Sequence, residues 1–468
     1  MKNNIIIKFM LDGNLVSLKT TSNTRLLDLI RKDAGNTSVR EGCGEGECGA
    51  CSILLDGKLV NACSTAAISA HGKNVITSYG FSETEEYKII SDAFAEAGAV
   101  QCGFCTPGFI MATAALLMRN ADPSTSEIKT ALSGNLCRCT GYTMIIDAVK
   151  IASKNLKNCE KTFFSKILNS SEFIFDKTDA NVLLPETIEQ ALTLVKEGFI
   201  PVAGGTDLIV RNHATRKESF DDHLIPPQVF STSKIKNLNN IKTKNGCIEI
   251  GAGAKISEII DFDKTPQILR ESLKSIASPG IRNAATLAGN ICNASPAGDS
   301  LPALYILDAN INYFEMKNNE VLKKTIPIKD FITAPGKTIL NNNEKSISIV
   351  SSISIKLLEG YDFIYKKLGT RAANALSKLN ISVIYKKKNN NFIDFKLAIG
   401  ACAPTIIRNI TAEQLLIKHG QEKLDKILSL YSECLTPIDD QRSTATYRKN
   451  TALKIIEDII LNTETYSC

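Results

Sequence analysis

The stretch from Arg40 to Cys63 reads REGCGEGECGACSILLDGKLVNAC and holds four of the fourteen cysteines of this 468-residue chain. These four are Cys43, Cys48, Cys51 and Cys63. A second group lies in QCGFCTPGFIMATAALL (101–117) and SGNLCRCTGY (133–142), and it consists of Cys102, Cys105, Cys137 and Cys139. Each group supplies four thiols, the number that one iron–sulfur cluster or one structural zinc ion requires.

The spacing of the first group favours iron over zinc. Cys43, Cys48 and Cys51 follow the C-x4-C-x2-C pattern of plant-type [2Fe–2S] clusters, with Cys63 as the distant fourth ligand. The intervening glycines let the backbone wrap closely, so that amide groups can point at the sulfur atoms. Zinc sites usually use C-x2-C pairs, which fit this loop poorly. The loop therefore predicts a [2Fe–2S] cluster and a chain that carries electrons.

The second group is ambiguous by spacing alone. Its C-x2-C and C-x-C pairs suit a zinc ion as well as a [2Fe–2S] cluster, and Cys102-Gly-Phe-Cys105 also has the spacing of a thioredoxin-like motif. No βαβ context surrounds that motif, and the neighbouring first group favours a second cluster. Because alternate residues of an extended segment face the same way, we expect Cys137 and Cys139 to point inward and Arg138 outward.

Composition excludes several classes of protein. The length predicts two to four domains, and 44% hydrophobic with 22% charged residues is ordinary for a globular protein. The net charge of +6 comes from scattered Lys and Arg residues, so it predicts no nucleic-acid partner. The sequence has no signal peptide and no run of 18 apolar residues, which predicts no membrane association. Many cysteines without an export signal favour a reducing cytoplasm.

The first 178 residues divide into three parts. Residues 1–80 predict a small α+β unit, with hairpins at Asp12-Gly13-Asn14 and Asp56-Gly57 and a short helix in TRLLDLIRKDA. Residues 81–154 predict helices, one of them capped by Thr106 and another by the capping box Ser124-x-x-Glu127, with Gly134 as its end. Residues 155–178 have weak periodicity and predict a linker.

The remaining chain predicts two further α+β regions, 179–355 and 356–468. In the first, a helix over 187–198 and a strand over 200–203 lead into the turn Gly204-Gly205-Thr206-Asp207. Small residues there and in IRNAATLAGNICNASPAGD (281–299) let backbone amides approach a phosphate-bearing ligand, although a GGTD sequence is equally an ordinary tight turn. The second region predicts strands followed by two amphipathic helices.

Six segments, in four parts of the chain, resemble the molybdenum hydroxylases, the xanthine dehydrogenase family. Residues 40–63 resemble the ferredoxin-like domain, and 101–117 with 133–142 resemble the helical second-cluster domain. PVAGGTDLIV (201–210) with 281–299 resembles the FAD-binding domain, and TPIDDQRSTATYRKN (436–450) resembles the C-terminal domain of the flavoprotein subunits. The resemblance implies an α+β multidomain fold. Its parts would be a β-grasp ferredoxin-like domain (1–80), a four-helix second-cluster domain (81–154), a linker (155–178), a two-part α+β FAD-binding domain of the vanillyl-alcohol-oxidase (PCMH) type (179–355) and a C-terminal α+β flavoprotein domain (356–468).

The same resemblance implies cofactors and site residues. The eight cysteines would bind two [2Fe–2S] clusters. FAD would contact Ala203, Gly204, Gly205, Thr206, Asp207, Ile276, Thr286, Leu287, Ala288, Gly289, Asn290, Asp299 and Lys367. Ile276 stands where relatives often have a larger aromatic residue, and Lys366 is an alternative to Lys367. The other cysteines (159, 247, 292, 402, 434 and 468) and the four histidines match no ligand motif, and no residue is assigned to catalysis.

Enzymes of this family also need a large molybdenum-cofactor domain, which hydroxylates the substrate. The chain ends at Cys468 after the flavin portion, so the resemblance implies an electron-transfer subunit with a large molybdenum-binding partner, in an expected α2β2 assembly. Electrons would pass through both clusters to FAD and then to NAD+ or another acceptor. Xanthine dehydrogenase is the first expectation; nicotinate and other N-heterocycles, aldehydes and carbon monoxide are alternatives.

Two other functions compete with this one. A stand-alone iron–sulfur flavoprotein would take electrons from a diffusible donor and would show dye-linked activity without a partner. A zinc-stapled binding scaffold would be colourless, whereas the cluster protein would be brown and rich in iron.

Overall fold

The computed structural model describes residues 4–157, 159, 162–168, 183–218, 228–341 and 346–463. The chain forms two compact units. The first consists of the described residues of 1–186, 193–235 and 277–285, and the second of those of 187–192, 236–276 and 286–468.

The first unit opens with a five-stranded sheet. Its strands are Asn4–Leu11, Asn14–Thr21, Ser52–Leu55, Lys58–Asn61 and Asn74–Ile76. In spatial order they are the second, first, fifth, third and fourth along the chain. Asp12-Gly13 and Asp56-Gly57 form the two hairpin turns, and all four residues have positive φ, as two-residue turns that match strand twist require. Both predicted hairpins are confirmed.

The short helix predicted after the first hairpin is also present. It runs over Leu26–Asp28 and continues as a π-helical turn over Leu29–Asp33. Leu26 and Leu29 are fully buried against Phe9 of the sheet. Two 3-10 turns, Ala62–Ser64 and Ala67–Ala70, follow the second hairpin. The cysteine loop lies between the helix and the third strand.

Helices dominate the next part of the first unit. They are Ser78–Ser82, Glu85–Glu96, Thr106–Arg119, Thr125–Ala131 and Thr143–Leu156. The capping box is confirmed, because Ser124 N donates to Glu127 at 2.8 Å and Glu127 N donates to Ser124 Oγ at 3.3 Å. Two boundary predictions are wrong: Thr106 is the first helical residue rather than the cap, and the helix before Gly134 already ends at Ala131.

The predicted linker contains a helix, Thr162–Leu168. Phe164 and Ile167 are buried in the core of the helical region, so this segment belongs to that region and the linker prediction is wrong here. The buried carboxylate of Glu86 accepts a hydrogen bond from Phe163 N at 2.8 Å, which caps the new helix. A cap supplied from a distant helix leaves no local sequence signal. The rest of the predicted linker, 169–178, lies outside the described residues.

The first unit also contains a small parallel pair of strands. Ile200–Val202 pairs with Val229–Ser231, and the helix Leu208–Glu218 follows the first of these strands. The short helix Pro279–Arg282 belongs to the same unit. The predicted helix and strand before the GGTD turn are confirmed as Ile188–Lys196 and Ile200–Val202.

The second unit has two main sheets. The first contains, in spatial order, Glu320–Pro327, Asn310–Lys317, Ile347–Lys356, Cys247–Gly251 and Ile241–Lys244, with a small hairpin of Ile332–Ala334 and Lys337–Thr338. Its helices are Ile256–Asp261, Gln267–Lys274, Leu287–Asn293, Ser300–Ile306 and Ile328–Phe331. The second sheet contains Asp362–Leu368, Leu379–Lys388, Asn391–Gly400 and Ile407–Arg408.

Three helices cover the second sheet, where two were predicted. They are Ile410–His419, Leu424–Cys434 and Ala445–Leu461, with a 3-10 turn at Gly420–Lys423. Ile456, Ile459 and Tyr431 are buried against the sheet residues Ile381 and Leu397. Nowhere in the described ranges is a helix both long enough and apolar enough to cross a membrane.

Candidate redox centres

The first cysteine loop surrounds its thiols with backbone donors. Glu45 N and Glu47 N each donate to Cys43 Sγ at 3.3 Å, and Gly46 N donates to Cys63 Sγ at 3.2 Å. Such hydrogen bonds stabilise negative charge on sulfur and adjust the potential of a bound cluster. Gly44 and Gly46 have φ of +74° and +79°, a conformation that side-chain-bearing residues rarely adopt.

The four thiols of this loop also contact one another. Hydrogen bonds from Cys48 and Cys63 lower the pKa of the Cys43 thiol, and one from Cys63 lowers the pKa of Cys51. Cys51 and Cys63 are buried, whereas Cys43 and Cys48 are half-buried. The same contacts raise the pKa of the Cys48 and Cys63 thiols. The structure therefore brings the four predicted ligands into contact with one another, and hydrogen bonds favour the thiolate form at Cys43 and Cys51.

The second cysteine group is more open than expected. Cys137 is buried, but Cys139 and Cys102 are exposed, so the prediction that Cys137 and Cys139 both point inward is wrong. Thr140 N and Thr140 Oγ1 donate to Cys137 Sγ at 3.4 and 3.2 Å. Although burial opposes it, these two hydrogen bonds lower the pKa of Cys137. This site lies at the protein surface.

The thiols of the second group lie in pairs. Cys139 Sγ is 3.6 Å from Cys102 Sγ, and Cys105 is hydrogen-bonded to Cys137. In the described part of the chain, no three His, Cys, Asp or Glu side chains gather around the position of a single metal ion. Two pairs of thiolates fit the two iron atoms of a [2Fe–2S] cluster, each of which takes two protein ligands.

The two cysteine groups are direct neighbours within the first unit. Leu136 N donates to Cys48 O at 2.9 Å, and Asn135 Nδ2 donates to Gly49 O at 3.1 Å. Gly108 packs so closely that a methyl group on it would lie 2.2 Å from Gly49 O. One hydrogen bond thus connects Cys48, a predicted ligand of the first cluster, to the residue before Cys137.

A cation also connects the two loops. Arg40, three residues before Cys43, donates a hydrogen bond to Gly103 O between Cys102 and Cys105. Its guanidinium lies 5.5 Å from the centre of the Phe104 ring, within the range of a cation–π interaction.

The predicted flavin loop, Ala203 to Asp207, belongs to the first unit. A methyl group on Gly204 would lie 2.4 Å from Ala284 O, so only glycine fits at this point of the loop. Gly205 has φ of +74° and packs on Val202 and Ile209. Asp207 forms an exposed ion pair with Arg211 at 3.5 Å. The loop is therefore a closely packed backbone turn that requires glycine, a type of turn that suits a pyrophosphate.

The other predicted flavin residues belong to the second unit. Thr286 caps the helix that contains Leu287, Ala288, Gly289 and Asn290, and its hydroxyl accepts from Gly289 N at 3.1 Å. Asn290 Oδ1 accepts from Ser300 Oγ at 2.6 Å. This helix therefore begins at the predicted phosphate-contacting residues.

A buried ion pair marks the next part of this set. Lys367 Nζ lies 2.7 Å from Asp299 Oδ2 and donates to Ser275 O, next to Ile276, at 2.8 Å. Ser377 Oγ and Asn380 Nδ2 donate to the other oxygen of Asp299 at 2.6 and 3.1 Å. Lys366 is exposed on the same strand, so the geometry favours Lys367 of the two lysines. The residues present fit FAD at both places.

Some residues around these sites were missed by the sequence analysis. Thr140, Asn135, Arg40 and Arg25 carry the hydrogen bonds and charges next to the cysteines. Thr140, Arg40 and Asn135 stand inside the quoted motifs, but Asn135 binds Gly49 across a long stretch of chain, which the motif does not reveal. Arg25, which binds Glu41, lies outside the motifs and has no spacing signal.

Comparison with known families covers most of the chain. Residues 77–150 match a model described as a [2Fe-2S] binding domain. Residues 177–355 match the FAD binding domain in molybdopterin dehydrogenase, and residues 363–463 match the CO dehydrogenase flavoprotein C-terminal domain.

Individual relatives agree with these matches. The chain is 49% identical over 156 residues to the nicotinate dehydrogenase small FeS subunit of Eubacterium barkeri, covering 33% of this chain and 99% of that one. It is 27% identical to xanthine dehydrogenase of Oryza sativa subsp. japonica, covering 87% of this chain but 36% of that one, and 24% identical to aldehyde oxidase 3 of Rattus norvegicus, covering 90% and 36%. The chain thus spans about a third of these longer relatives.

Solved structures support the fold. A chain of Cu,Mo-CO dehydrogenase matches with a TM-score of 0.53 at 21% identity, covering 61% of this chain and 97% of that one. Quinoline 2-oxidoreductase from Pseudomonas putida 86 matches with a TM-score of 0.52 at 17% identity, covering 59% and 94%.

Fold and sites together define an oxidoreductase chain that carries [2Fe–2S] centres and FAD. The chain belongs to the molybdenum hydroxylase family, among the chains of that family that hold the iron–sulfur and flavin domains. The predicted family, multidomain α+β fold class and cofactors are confirmed.

Proposed function

We propose that this chain is the electron-transfer subunit of a molybdenum hydroxylase whose substrate is oxidised on a partner chain. The observation that carries the proposal is the contact between the two cysteine groups, where Leu136 N donates to Cys48 O at 2.9 Å. When bound, each cluster would exchange single electrons, and FAD would accept them one at a time and supply two together to NAD+, or one or two to another acceptor. Adjacent one-electron sites followed by a flavin domain are what such a transfer requires.

The chain's own residues would hold and tune these centres. Backbone amides of Glu45, Gly46 and Glu47 stabilise charge on the sulfur atoms of the first group. Thr140 does the same at Cys137. Because burial and hydrogen bonding set the potential of a cluster, the half-exposed second group and the more buried first group would differ in potential.

The partner would dock over the second cysteine group. Cys102 and Cys139 are exposed there, and five apolar side chains of the same region are also exposed: Val100, Phe104, Leu136, Tyr142 and Met144. Electrons must enter from a nearby molybdenum centre, so this face has to approach the partner. A lasting interface of this kind buries on the order of 2,000 Å² or more, with apolar anchors. Two copies of each chain are our expected assembly.

For the substrate class we propose an N-heterocycle, with nicotinate first and xanthine second. The relative that shares 49% identity over the iron–sulfur region is a nicotinate dehydrogenase subunit, whereas xanthine dehydrogenase shares 27%. In our proposal this region carries electrons and does not contact the substrate. The partner chain therefore determines which substrate is oxidised. We further propose a cytoplasmic location, because the described cysteines form no disulfides and a reducing compartment keeps thiols available for metal binding.

The test is reconstitution from two chains. The chain purified alone should contain iron and flavin, lack molybdenum, transfer electrons from NADH to a dye, and oxidise neither nicotinate nor xanthine. Co-expression with a large molybdenum-cofactor chain from the same source should produce a stable complex that hydroxylates nicotinate faster than xanthine or an aldehyde. Substrate hydroxylation by this chain alone, free of molybdenum, would contradict the proposal.

A further inference from the structure

A buried arginine lies beside the first cysteine loop. The Arg25 side chain is 3% exposed, and it binds Asp28 and Glu41 with two hydrogen bonds each. Its Nε and Nη2 donate to Asp28 at 2.6 and 3.0 Å, and its Nη1 and Nη2 donate to Glu41 at 2.8 and 3.4 Å. Bidentate pairs of this kind fix the guanidinium plane as well as its charge.

The Asp28 carboxylate beside Arg25 is charged. Although burial favours the neutral acid, the hydrogen bonds and the charge of Arg25 lower the pKa of Asp28 to about 2. Asp28 has a second cationic neighbour, Lys32, whose Nζ lies 3.1 Å from Asp28 Oδ1. The Lys32 side chain is 74% exposed, so water screens its charge strongly. Arg25 is therefore the buried cation that compensates Asp28 and Glu41.

Arg25 contacts both sides of the cysteine loop. Glu41 precedes Cys43 by two residues, and a methyl group on Gly44 would lie 3.0 Å from Glu41 Oε1 and 3.4 Å from Arg25 Nη1. On the other side, the backbone of Arg25 forms a bridge with Ala66, three residues after Cys63. The side chain thus lies next to the turn whose amides donate to Cys43 and Cys63.

We propose that Arg25 is a positioning residue of the first cluster, which holds the turn after Glu41 in place and raises the reduction potential by its buried charge. The inference rests on the proposed function, since it requires a redox cluster at this loop. Reduction adds a negative charge to the cluster, and a nearby buried cation stabilises that charge. Glu41 acts in the opposite sense, because its carboxylate disfavours the reduced form.

The alternative is that the three side chains only stabilise the fold. Breaking a buried ion pair weakens a structure whichever partner is removed. A purely structural role therefore predicts that loss of Arg25 and loss of Glu41 have similar effects. A role in setting the potential predicts shifts of opposite sign.

The experiment is a redox titration of the intact chain, followed by electron paramagnetic resonance, for Arg25→Met, Glu41→Gln, the double variant and Lys32→Met. Lys32→Met is the matched control, since it removes one positive charge that also pairs with Asp28 but lies in solvent. The signal of the second cluster serves as an internal reference.

The expected result is a lower potential of the first cluster in Arg25→Met, a higher one in Glu41→Gln, and an intermediate one in the double variant. Lys32→Met should leave the potential unchanged. Shifts of the same sign in both single variants, or an equal shift in Lys32→Met, would overturn the inference.

A further variant, Arg25→Lys, tests the proposal if Arg25→Met loses the first cluster. Arg25→Lys keeps the charge but cannot make both bidentate pairs, so it should retain the potential with a lower cluster content. A potential in Arg25→Lys that is lowered, as far as in Arg25→Met where that variant keeps its cluster, would contradict the role of charge. Absence of both cluster signals in the unaltered chain would instead contradict the proposed function.

Discussion

At the scale of single residues, each predicted cysteine ligand belongs to only one of the two clusters. We expect Cys43→Ser to remove the first [2Fe–2S] signal and leave the second intact, because the four thiols of the helical region remain. Electron paramagnetic resonance of the reduced protein should fall from two signals to one. Cys247→Ser is the matched control, since Cys247 is also half-buried but lies on a strand of the second unit. Two full signals in Cys43→Ser would refute this ligand set.

The flavin loop depends on the glycine at position 204, which has no side chain and so allows close packing. We expect Gly204→Ala to lower FAD occupancy without loss of iron, because the new methyl group would lie 2.4 Å from Ala284 O and must displace the loop. Gly246→Ala is the control: Gly246 has φ of +71° and open space around it, so the change costs about 1 kcal/mol of strain and should leave flavin content unchanged. Normal flavin absorbance in Gly204→Ala would show that this loop does not bind the pyrophosphate of FAD.

Between elements, the first cysteine loop and the segment before Cys137 share a polar contact. Asn135 is buried, and its amide donates to Gly49 O at 3.1 Å. We expect Asn135→Ala to cost about 0.5–1.5 kcal/mol, because one buried hydrogen bond is lost while Gly49 O keeps its donors Ser52 Oγ at 2.7 Å and Ser52 N at 3.1 Å. The checks are a lower melting temperature and faster iron release under a chelator.

The control for this contact is Asn120→Ala. Asn120 also uses its side-chain amide, donating to Glu127 at 3.0 Å, but at the surface. Its replacement should change the melting temperature little. Equal effects of both variants would mean that the contact between the cysteine segments adds nothing to stability.

In the C-terminal region, a buried ion pair ties the last strand to the first covering helix. Glu413 is buried and accepts from Arg408 Nε at 3.0 Å and from Leu397 N at 2.9 Å. Arg408→Met would leave this carboxylate without its cation, which costs roughly 3–5 kcal/mol. Lys324→Met, which breaks an exposed pair with Glu315, should cost about 0–1 kcal/mol.

The loss of folding stability in Arg408→Met should depend on pH in a defined direction. Burial raises the pKa of Glu413 above its ordinary value even with Arg408 present. A carboxyl with a raised folded pKa is easier to bury when protonated, so the destabilisation should be small at low pH and grow as pH rises through that pKa. Urea unfolding at several pH values measures this trend. A loss that decreases with rising pH would be inconsistent with the unpaired carboxylate.

At the scale of the whole molecule, the cofactor residues are divided between the units. All eight predicted cluster ligands belong to the first unit, whereas Asp299 and Lys367 belong to the second. We expect Asp299→Asn to lower flavin content while both iron–sulfur signals persist, because the substitution leaves Lys367 buried without its partner. Glu315→Gln, which removes one partner of the surface pair with Lys324, is the control. Loss of iron in Asp299→Asn would show that the sites are not independent.

Local sequence determined much of this architecture. The two hairpins follow from Asp-Gly turns, and the helix at Thr125 follows from its capping box, because these signals act over a few residues. The spacing of Cys43, Cys48 and Cys51 likewise predicted the iron–sulfur chemistry, since three ligands of one cluster lie on one tight loop.

Only the tertiary structure decided the rest. The helix Thr162–Leu168 exists because a distant Glu86 caps it and a core accepts Phe164, neither of which neighbouring residues reveal. The exposure of Cys139 depends on how its segment lies against the helices, and alternation along the chain predicted the opposite. Arg25 meets Glu41 only after the chain folds. The physical reason is range: turn geometry and metal spacing act within a few residues, whereas burial, ion pairing and distant caps act between residues that only folding brings together.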